Sequence, residues 1–159
     1  MDMQDLTLAL SLVIKLFSAY FGAVMLFAIF RPKGHAPATA ATRFAVVIAA
    51  RNEEAVIAEL VQSLKAQEYP SRLYDIYVVP NNCQDDTRGA ALRAGAKVID
   101  CQGTIKAKGD ALAQAFDRLL EQPYDAFCVF DADNVVDPHF LEHMNNAFCA
   151  GAKVAKGRN

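Results

Sequence analysis

The longest apolar run of the chain lies at its start. Residues 6–30 are interrupted by a single charge, Lys15, and roughly 20 apolar residues are enough to cross a bilayer. Two aspartates precede the run and the basic residues Arg31 and Lys33 follow it, which is typical of a signal anchor and not of a cleaved signal peptide. By the positive-inside rule, this asymmetry predicts a single-pass transmembrane helix with the following residues in the cytoplasm.

Small and polar residues inside this run recur at helical spacing. They lie three or four positions apart and therefore share one face of a helix: Thr7, Ser11, Lys15, Ser18 and Gly22. A face of this kind predicts packing against further transmembrane helices. The alternative is a lone anchor whose lysine reaches the membrane surface.

After a linker at residues 31–43, the hydrophobic pattern of residues 44–159 alternates between two periods. Short apolar runs predict buried strands at 44–50, 74–80, 97–100 and 125–133. Apolar positions three or four residues apart predict helices after Asn52, over 85–96 and 109–120, and after Asp137. Strands that alternate with helices predict an α/β fold, with a Rossmann-like, mostly parallel sheet and flanking helices.

Composition narrows the possible partners. The 159 residues carry 16 basic and 18 acidic side chains, without any block of like charge, which argues against binding to nucleic acid. The four cysteines form no C-x-x-C pair and indicate free thiols in a reducing compartment.

Polar side chains follow three of the predicted strands. Arg51 and Asn52 come after the first strand, Asn81 after the second, and Asp131 and Asp133 at the end of the fourth. Ligands of parallel α/β sheets bind at the carboxyl ends of the strands, so this edge is the predicted site. The sequence has no G-x-G-x-x-G and no P-loop motif, so the common phosphate cradles are excluded.

The two aspartates of the D-x-D sequence predict a cation site. On a strand, Asp131 and Asp133 would lie on the same side, and paired carboxylates suit Mg²⁺ or Mn²⁺ together with phosphate oxygens. The alternative is that both are ordinary turn residues capping the next helix.

Four segments, taken in order, resemble a known family. They are FAVVIAARNEEAVIAELVQSLKAQEYP, YDIYVVPNNCQDDT, IKAKGDALAQAF and CVFDADNVVDPHFLEHM. They are similar to the N-terminal motifs of family 2 glycosyltransferases, the group that contains cellulose, chitin and hyaluronan synthases. The resemblance implies a GT-A type fold and a membrane-bound, metal-dependent, inverting enzyme. Such an enzyme transfers a sugar from a nucleotide-sugar donor, here a UDP-sugar, to a glycan or lipid acceptor.

The resemblance also implies which residues hold the nucleotide. Ala50, Arg51 and Asn52 would border the base. Asn81 stands where the family usually places an aspartate on uracil. The amide keeps an acceptor oxygen but lacks the charge, so the choice of base is left open.

The same resemblance assigns the diphosphate and the metal. Lys108 matches the basic residue near the donor diphosphate, with Lys106 as the substitute. Asp131 would contact the ribose or the metal shell, and Asp133 would ligate Mg²⁺ or Mn²⁺. The family's general base and its Q-x-x-R-W motif are expected beyond Asn159, so the sequence predicts the donor half of the enzyme and little transferase activity from this chain alone.

Two other functional classes compete with this interpretation. The first is a non-catalytic, membrane-anchored module that binds a nucleotide or a protein partner. The second is a zinc peptidase, because His139, Glu142 and His143 match the H-x-x-E-H pattern. A third zinc ligand would have to come from the 16 residues after His143 or from upstream, and no acidic residue follows in GAKVAKGRN. A solvated helix face explains the same residues.

Overall fold

The computed structural model describes residues 2–29 and 34–157. The chain divides into two units, residues 1–34 and residues 35–159.

The first unit consists of one long helix. Helix α1 spans Met3–Ile29, and its 27 residues are about 40 Å long, which exceeds the apolar thickness of a bilayer. Its segment Gln4–Phe27 has a mean hydropathy of 1.9 and no buried residues, so it is a candidate membrane span. The hydroxyls of Thr7 and Ser11 donate to main-chain oxygens three residues earlier and are satisfied within the helix. Arg31 and Lys33, on which the predicted orientation depends, lie outside the described residues.

The second unit is built on a parallel sheet. Its strands are β1 Phe44–Ala50, β2 Tyr74–Pro80, β3 Lys97–Val98 and β4 Ala126–Asp131, in the order β3-β2-β1-β4. All seven residues of β1 are buried, which explains its unbroken apolar sequence. The predicted parallel sheet is confirmed.

Helices cover both faces of this sheet. They are α2 Ile57–Lys65, α3 Thr87–Ala94, α4 Lys108–Leu119 and α5 Phe140–Cys149, with a 3₁₀ turn at Ser71–Leu73. Alternate residues of β1 point to opposite faces, where one core cluster includes residues from α2, α3 and α5 and the other includes residues from α4. The sheet is therefore the middle layer of a three-layer α/β unit.

Several element boundaries differ from the predicted ones: β3 covers only Lys97–Val98 of the predicted 97–100, α3 is shorter than the predicted 85–96, and three further differences lie near the site. Helix α2 begins at Ile57, because Asn52 adopts a φ of +57° and belongs to the preceding loop instead of capping the helix. Strand β4 ends at Asp131, where the chain enters a turn that contains Asp133. Helix α5 begins at Phe140, since the Asp137 carboxylate accepts a hydrogen bond from the His139 amide and holds a turn before the helix.

The segment that leads into β1 is held by a buried polar side chain. Asn145 of α5 is completely buried, and its amide oxygen accepts from the main-chain amides of Ala41 and Thr42 and from the Tyr69 hydroxyl. Its amide nitrogen donates to the carbonyls of residues 38 and 39. Residues 38–42 are therefore packed onto α5.

Candidate functional site

The carbonyl group of Ala50 lies where β1 and β2 end side by side. It accepts from the Asn81 main-chain amide at 2.9 Å, from the Asn81 side-chain nitrogen at 3.2 Å and from the Cys83 thiol at 3.6 Å. Asn81 is only 5% exposed. Within the described part of the chain its Oδ1 atom has no hydrogen-bond partner, so this neutral acceptor is available to a ligand.

The loops after β1 and β2 are joined by reciprocal hydrogen bonds. The Glu54 amide donates to Asp85 at 3.0 Å, and the Asp86 amide donates to Glu54 at 2.9 Å. The Thr87 hydroxyl lowers the pKa of Asp85 by donating to its carboxylate, and Arg93 lowers that of Asp86 in the same way. The Asp85 carboxylate therefore holds the two loops together, whereas the Asp86 carboxylate is bound by Gly89 and Arg93 of α3.

Two asparagines with positive φ complete this scaffold. Asn52 accepts from the Gln84 amide at 2.7 Å, and Asn82, with a φ of +49°, donates to the Ile105 carbonyl at 2.6 Å. Arg51 is exposed and has no hydrogen-bond or ion-pair partner among the described residues. Of the residues predicted to border the base, Ala50 and Asn81 are thus in contact, and Asn52 supports the neighbouring loop.

The first residue of α4 connects two of the predicted motifs. The Lys108 ammonium forms an ion pair with the Asp131 carboxylate at the end of β4. Asp110, two residues after Lys108, accepts from the main-chain amides of Lys106 and Ala107 at 2.9 and 3.0 Å and so caps the helix. Lys106 contributes only its main chain to these described contacts, so the geometry favours Lys108 as the basic residue of the site.

Asp133 lies two residues beyond this ion pair. It is exposed, and its carboxylate has no partner among the described residues. Because the strand has already ended, strand alternation does not determine how it is oriented relative to Asp131. In residues 2–29 and 34–157, no three histidine, cysteine or acidic side chains form a metal cluster. A cation held here would need the remaining ligands from phosphate and water, as is common for Mg²⁺.

The H-x-x-E-H residues do not form a zinc centre. His139 lies outside helix α5, and its Nδ1 atom is 3.3 Å from the Glu142 carboxylate and 3.6 Å from that of Glu68. The described residues provide no three-ligand group at this position. The contact with Glu68 joins the segment after α2 to the start of α5.

Two residues that organise the site were missed by the sequence analysis. Asp110 was missed because its N-cap partner is Ala107, which lacks the hydroxyl of a standard capping box. Asn82 was missed because an asparagine in a loop has many roles. The signal in the sequence was the residue type itself, because asparagine tolerates a positive φ better than most residues.

Comparison with known proteins identifies the family of this unit. Residues 41–156 match the family described as Glycosyltransferase like family 2. The match covers most of the chain, so the chain belongs to this family, whose members are enzymes. The predicted family membership is confirmed.

A curated relative agrees with this assignment. The beta-monoglucosyldiacylglycerol synthase of Trichormus variabilis is 32% identical over 103 residues, which make up 62% of this chain and 22% of the relative. The chain therefore spans about a fifth of the length of this relative.

Solved structures show the same fold. A mannosyltransferase from Pyrobaculum calidifontis, in complex with GDP-Man and Mn²⁺, has a TM-score of 0.66 and 23% identity over 86% of this chain and 43% of its own. A glucosyl-3-phosphoglycerate synthase from Mycobacterium tuberculosis was solved with Mn²⁺, UDP and glucosyl-3-phosphoglycerate. It has a TM-score of 0.50 and 25% identity over 64% of this chain and 38% of its own. The predicted GT-A type fold is confirmed.

Proposed function

We propose that residues 44–159 bind the nucleotide-sugar donor of a membrane-bound, inverting glycosyltransferase. The observation that carries this proposal is the contact between Lys108 and Asp131, which unites two family motifs at the carboxyl edge of the sheet. Ligands bind at this edge in open α/β folds. The complexes of the two structural relatives with GDP-Man and with UDP support a nucleotide-sugar donor.

Lys108 is suited to contact the donor diphosphate. Its side chain is 44% exposed and that of Asp131 is 66% exposed, and ion pairs at such a surface contribute about 0–1 kcal/mol. Lys108 can therefore exchange Asp131 for a phosphate oxygen at little cost. Its position at the start of the 12-residue helix α4 adds the positive end of the helix dipole.

Asp133 and Asp131 would hold a divalent cation beside that diphosphate. Asp133 is exposed and has no described partner, and Asp131 becomes free when Lys108 moves to the phosphate. Carboxylate oxygens are the ligands that Mg²⁺ and Mn²⁺ prefer. Bound there, the cation would supply Lewis-acid stabilisation of the leaving nucleotide.

Asn81 would accept one hydrogen bond from the base through its free Oδ1 atom, beside Ala50, Arg51 and Asn52. We propose a uridine nucleotide as the donor. The acceptor would be a glycan or a lipid, and the similarity to the T. variabilis beta-monoglucosyldiacylglycerol synthase favours a lipid. Helix α1 would anchor the protein in the membrane beside further transmembrane helices of the intact enzyme, with the donor site in the cytoplasm.

Calorimetry of the detergent-solubilised chain tests this proposal. UDP and GDP are titrated with and without Mn²⁺, and we expect UDP to bind only when the cation is present. Asp133→Ala should weaken binding by about tenfold or more, because a metal ligand is lost. Asp117→Ala removes an exposed carboxylate of α4 that has no described partner, and it should bind as the parent does.

Two other outcomes of the calorimetry would contradict different parts of the proposal. Equal affinity of Asp133→Ala and the parent at saturating Mn²⁺ would exclude the D-x-D metal site. If the parent binds no nucleoside diphosphate, the donor proposal fails and a non-catalytic interaction module becomes the better explanation.

A further inference from the structure

We propose that Asn82 is a positioning residue that places Lys108 for the donor diphosphate. This inference rests on the proposed function. Asn82 follows β2, whereas Lys108 begins α4, and the two are connected through the three residues that precede Lys108.

The segment before Lys108 is irregular in conformation and is held at each residue. The Ile105 side chain is buried in the core cluster beneath α4, and its carbonyl accepts from Asn82 at 2.6 Å. The next two main-chain amides, at Lys106 and Ala107, donate to Asp110. The ammonium of Lys108 then reaches Asp131.

Asn82 provides the hydrogen bond that ties this segment to another loop. All other described hydrogen bonds of residues 102–107 go to α4 itself, to the side chains of Gln114 and Asp110 and to the Asp110 main-chain amide. Without Asn82, the main chain before Lys108 would be aligned with its own helix but not with the β2 loop, where the base is proposed to bind. Asn82 therefore sets the distance between the base site and the diphosphate site.

The backbone of Asn82 supports this role. Its φ of +49° lies in the left-handed region, which asparagine tolerates better than most residues other than glycine. In this conformation its side chain points to the Ile105 carbonyl and not to its own loop. Asn82→Gly keeps the backbone accessible and removes only the hydrogen-bonding side chain.

A double-mutant cycle on UDP affinity at saturating Mn²⁺ tests the proposal. Asn82→Gly should weaken UDP binding about fivefold, the effect of one lost hydrogen bond. In the Lys108→Ala background the same change should have less than about a twofold effect, because the group being positioned is gone. Asn52→Gly is the matched control: it has the same residue type and a positive φ, but its partner is Gln84, so its effect should be equal in both backgrounds.

Hydrogen exchange supplies a second measurement that needs no ligand. Asn82→Gly should speed exchange of the Lys106 and Ala107 amides, and Asn52→Gly should instead speed exchange of the Gln84 amide. This measurement decides the matter if Lys108→Ala binds UDP too weakly to titrate.

The proposal is overturned if the effects of Asn82→Gly and Lys108→Ala are additive, or if exchange at Lys106 and Ala107 is unchanged. Failure of the parent to bind any nucleoside diphosphate would instead contradict the proposed function. The two failures are thereby distinguished.

Discussion

Asn81 shows how one amide can serve both the fold and a ligand. Its side-chain nitrogen donates to the Ala50 carbonyl, while its oxygen has no partner among the described residues. An aspartate at this buried position would direct a carboxylate oxygen at the same carbonyl. The aspartate that the family resemblance implies at this position would therefore conflict with the local geometry of this chain.

We predict that Asn81→Asp lowers the free energy of unfolding by about 2 kcal/mol at pH 7, since a hydrogen-bond donor is replaced by a charged acceptor. Burial beside a carbonyl should raise the pKa of the new carboxyl above its unfolded value of about 3.9. The destabilisation is then complete above the folded-state pKa and disappears as the pH falls below the unfolded value, where the protonated group can donate to Ala50. Urea unfolding at pH 7 and near pH 4 measures the difference.

Asn134→Asp is the control for this experiment. Asn134 also donates to a main-chain carbonyl, that of Asp131, but in an exposed turn where water solvates the charge. Its cost should be less than about 1 kcal/mol. An equal loss for Asn81→Asp at both pH values would show that the new carboxylate does not face the Ala50 carbonyl.

At the scale of elements, helix α5 anchors the segment that leads into the sheet. Its adjacent residues Asn145 and Asn146 are both buried but carry unequal numbers of hydrogen bonds. Asn145 bonds to the amides or carbonyls of residues 38, 39, 41 and 42 and to the Tyr69 hydroxyl, whereas the Asn146 side chain has one hydrogen bond among the described residues, which it accepts from the Ala38 amide. Loss of Asn145 therefore leaves several buried polar groups without partners.

We predict that Asn145→Ala lowers the free energy of unfolding by about 3 kcal/mol or more, and that Asn146→Ala lowers it by about 1 kcal/mol. Urea unfolding of the full chain in detergent, followed by circular dichroism, gives both values. Equal losses for the two variants would contradict the role assigned to Asn145.

At the scale of the whole molecule, the surface of the apolar helix and the surface of the α/β unit are suited to different environments. All the described side chains of α1 between Gln4 and Phe27 are exposed or nearly so, and most are apolar. In water this surface would be costly, at about 25 cal/mol for each Å² of apolar area. A membrane removes that cost.

We predict that the full chain fractionates with membranes and that residues 35–159 are protected from protease in intact cells. The basic residues Arg31 and Lys33 should keep this side in the cytoplasm. A variant with Arg31→Glu and Lys33→Glu, combined with Asp2→Lys and Asp5→Lys, reverses the flanking charge. It should expose the domain to external protease in at least part of the population. Digestion of the parent domain in intact cells would refute the predicted orientation.

The sequence was sufficient for the order and type of the elements. Phe44–Ala50 is short and apolar at every position, which is typical of a strand buried on both faces, and all seven residues are buried. Ile57, Leu60, Val61 and Leu64 recur at helical spacing, and all four are completely buried. These patterns are local and repeat over many residues, which is why they are readable without a structure.

The tertiary structure alone decided which side chains meet. Lys108 and Asp131 are 23 residues apart, and only the packing of α4 beside the end of β4 forms their ion pair. Local sequence also could not reveal that Asn52 belongs to a loop bonded to Gln84, because a hydrogen bond across 32 positions competes with the local capping preference and prevails. Hydrophobic periodicity thus determined which segments form the strands and helices of the three-layer unit. The pairing of polar groups depends on distances between distant segments, and it was set only when the sheet brought the strand ends together.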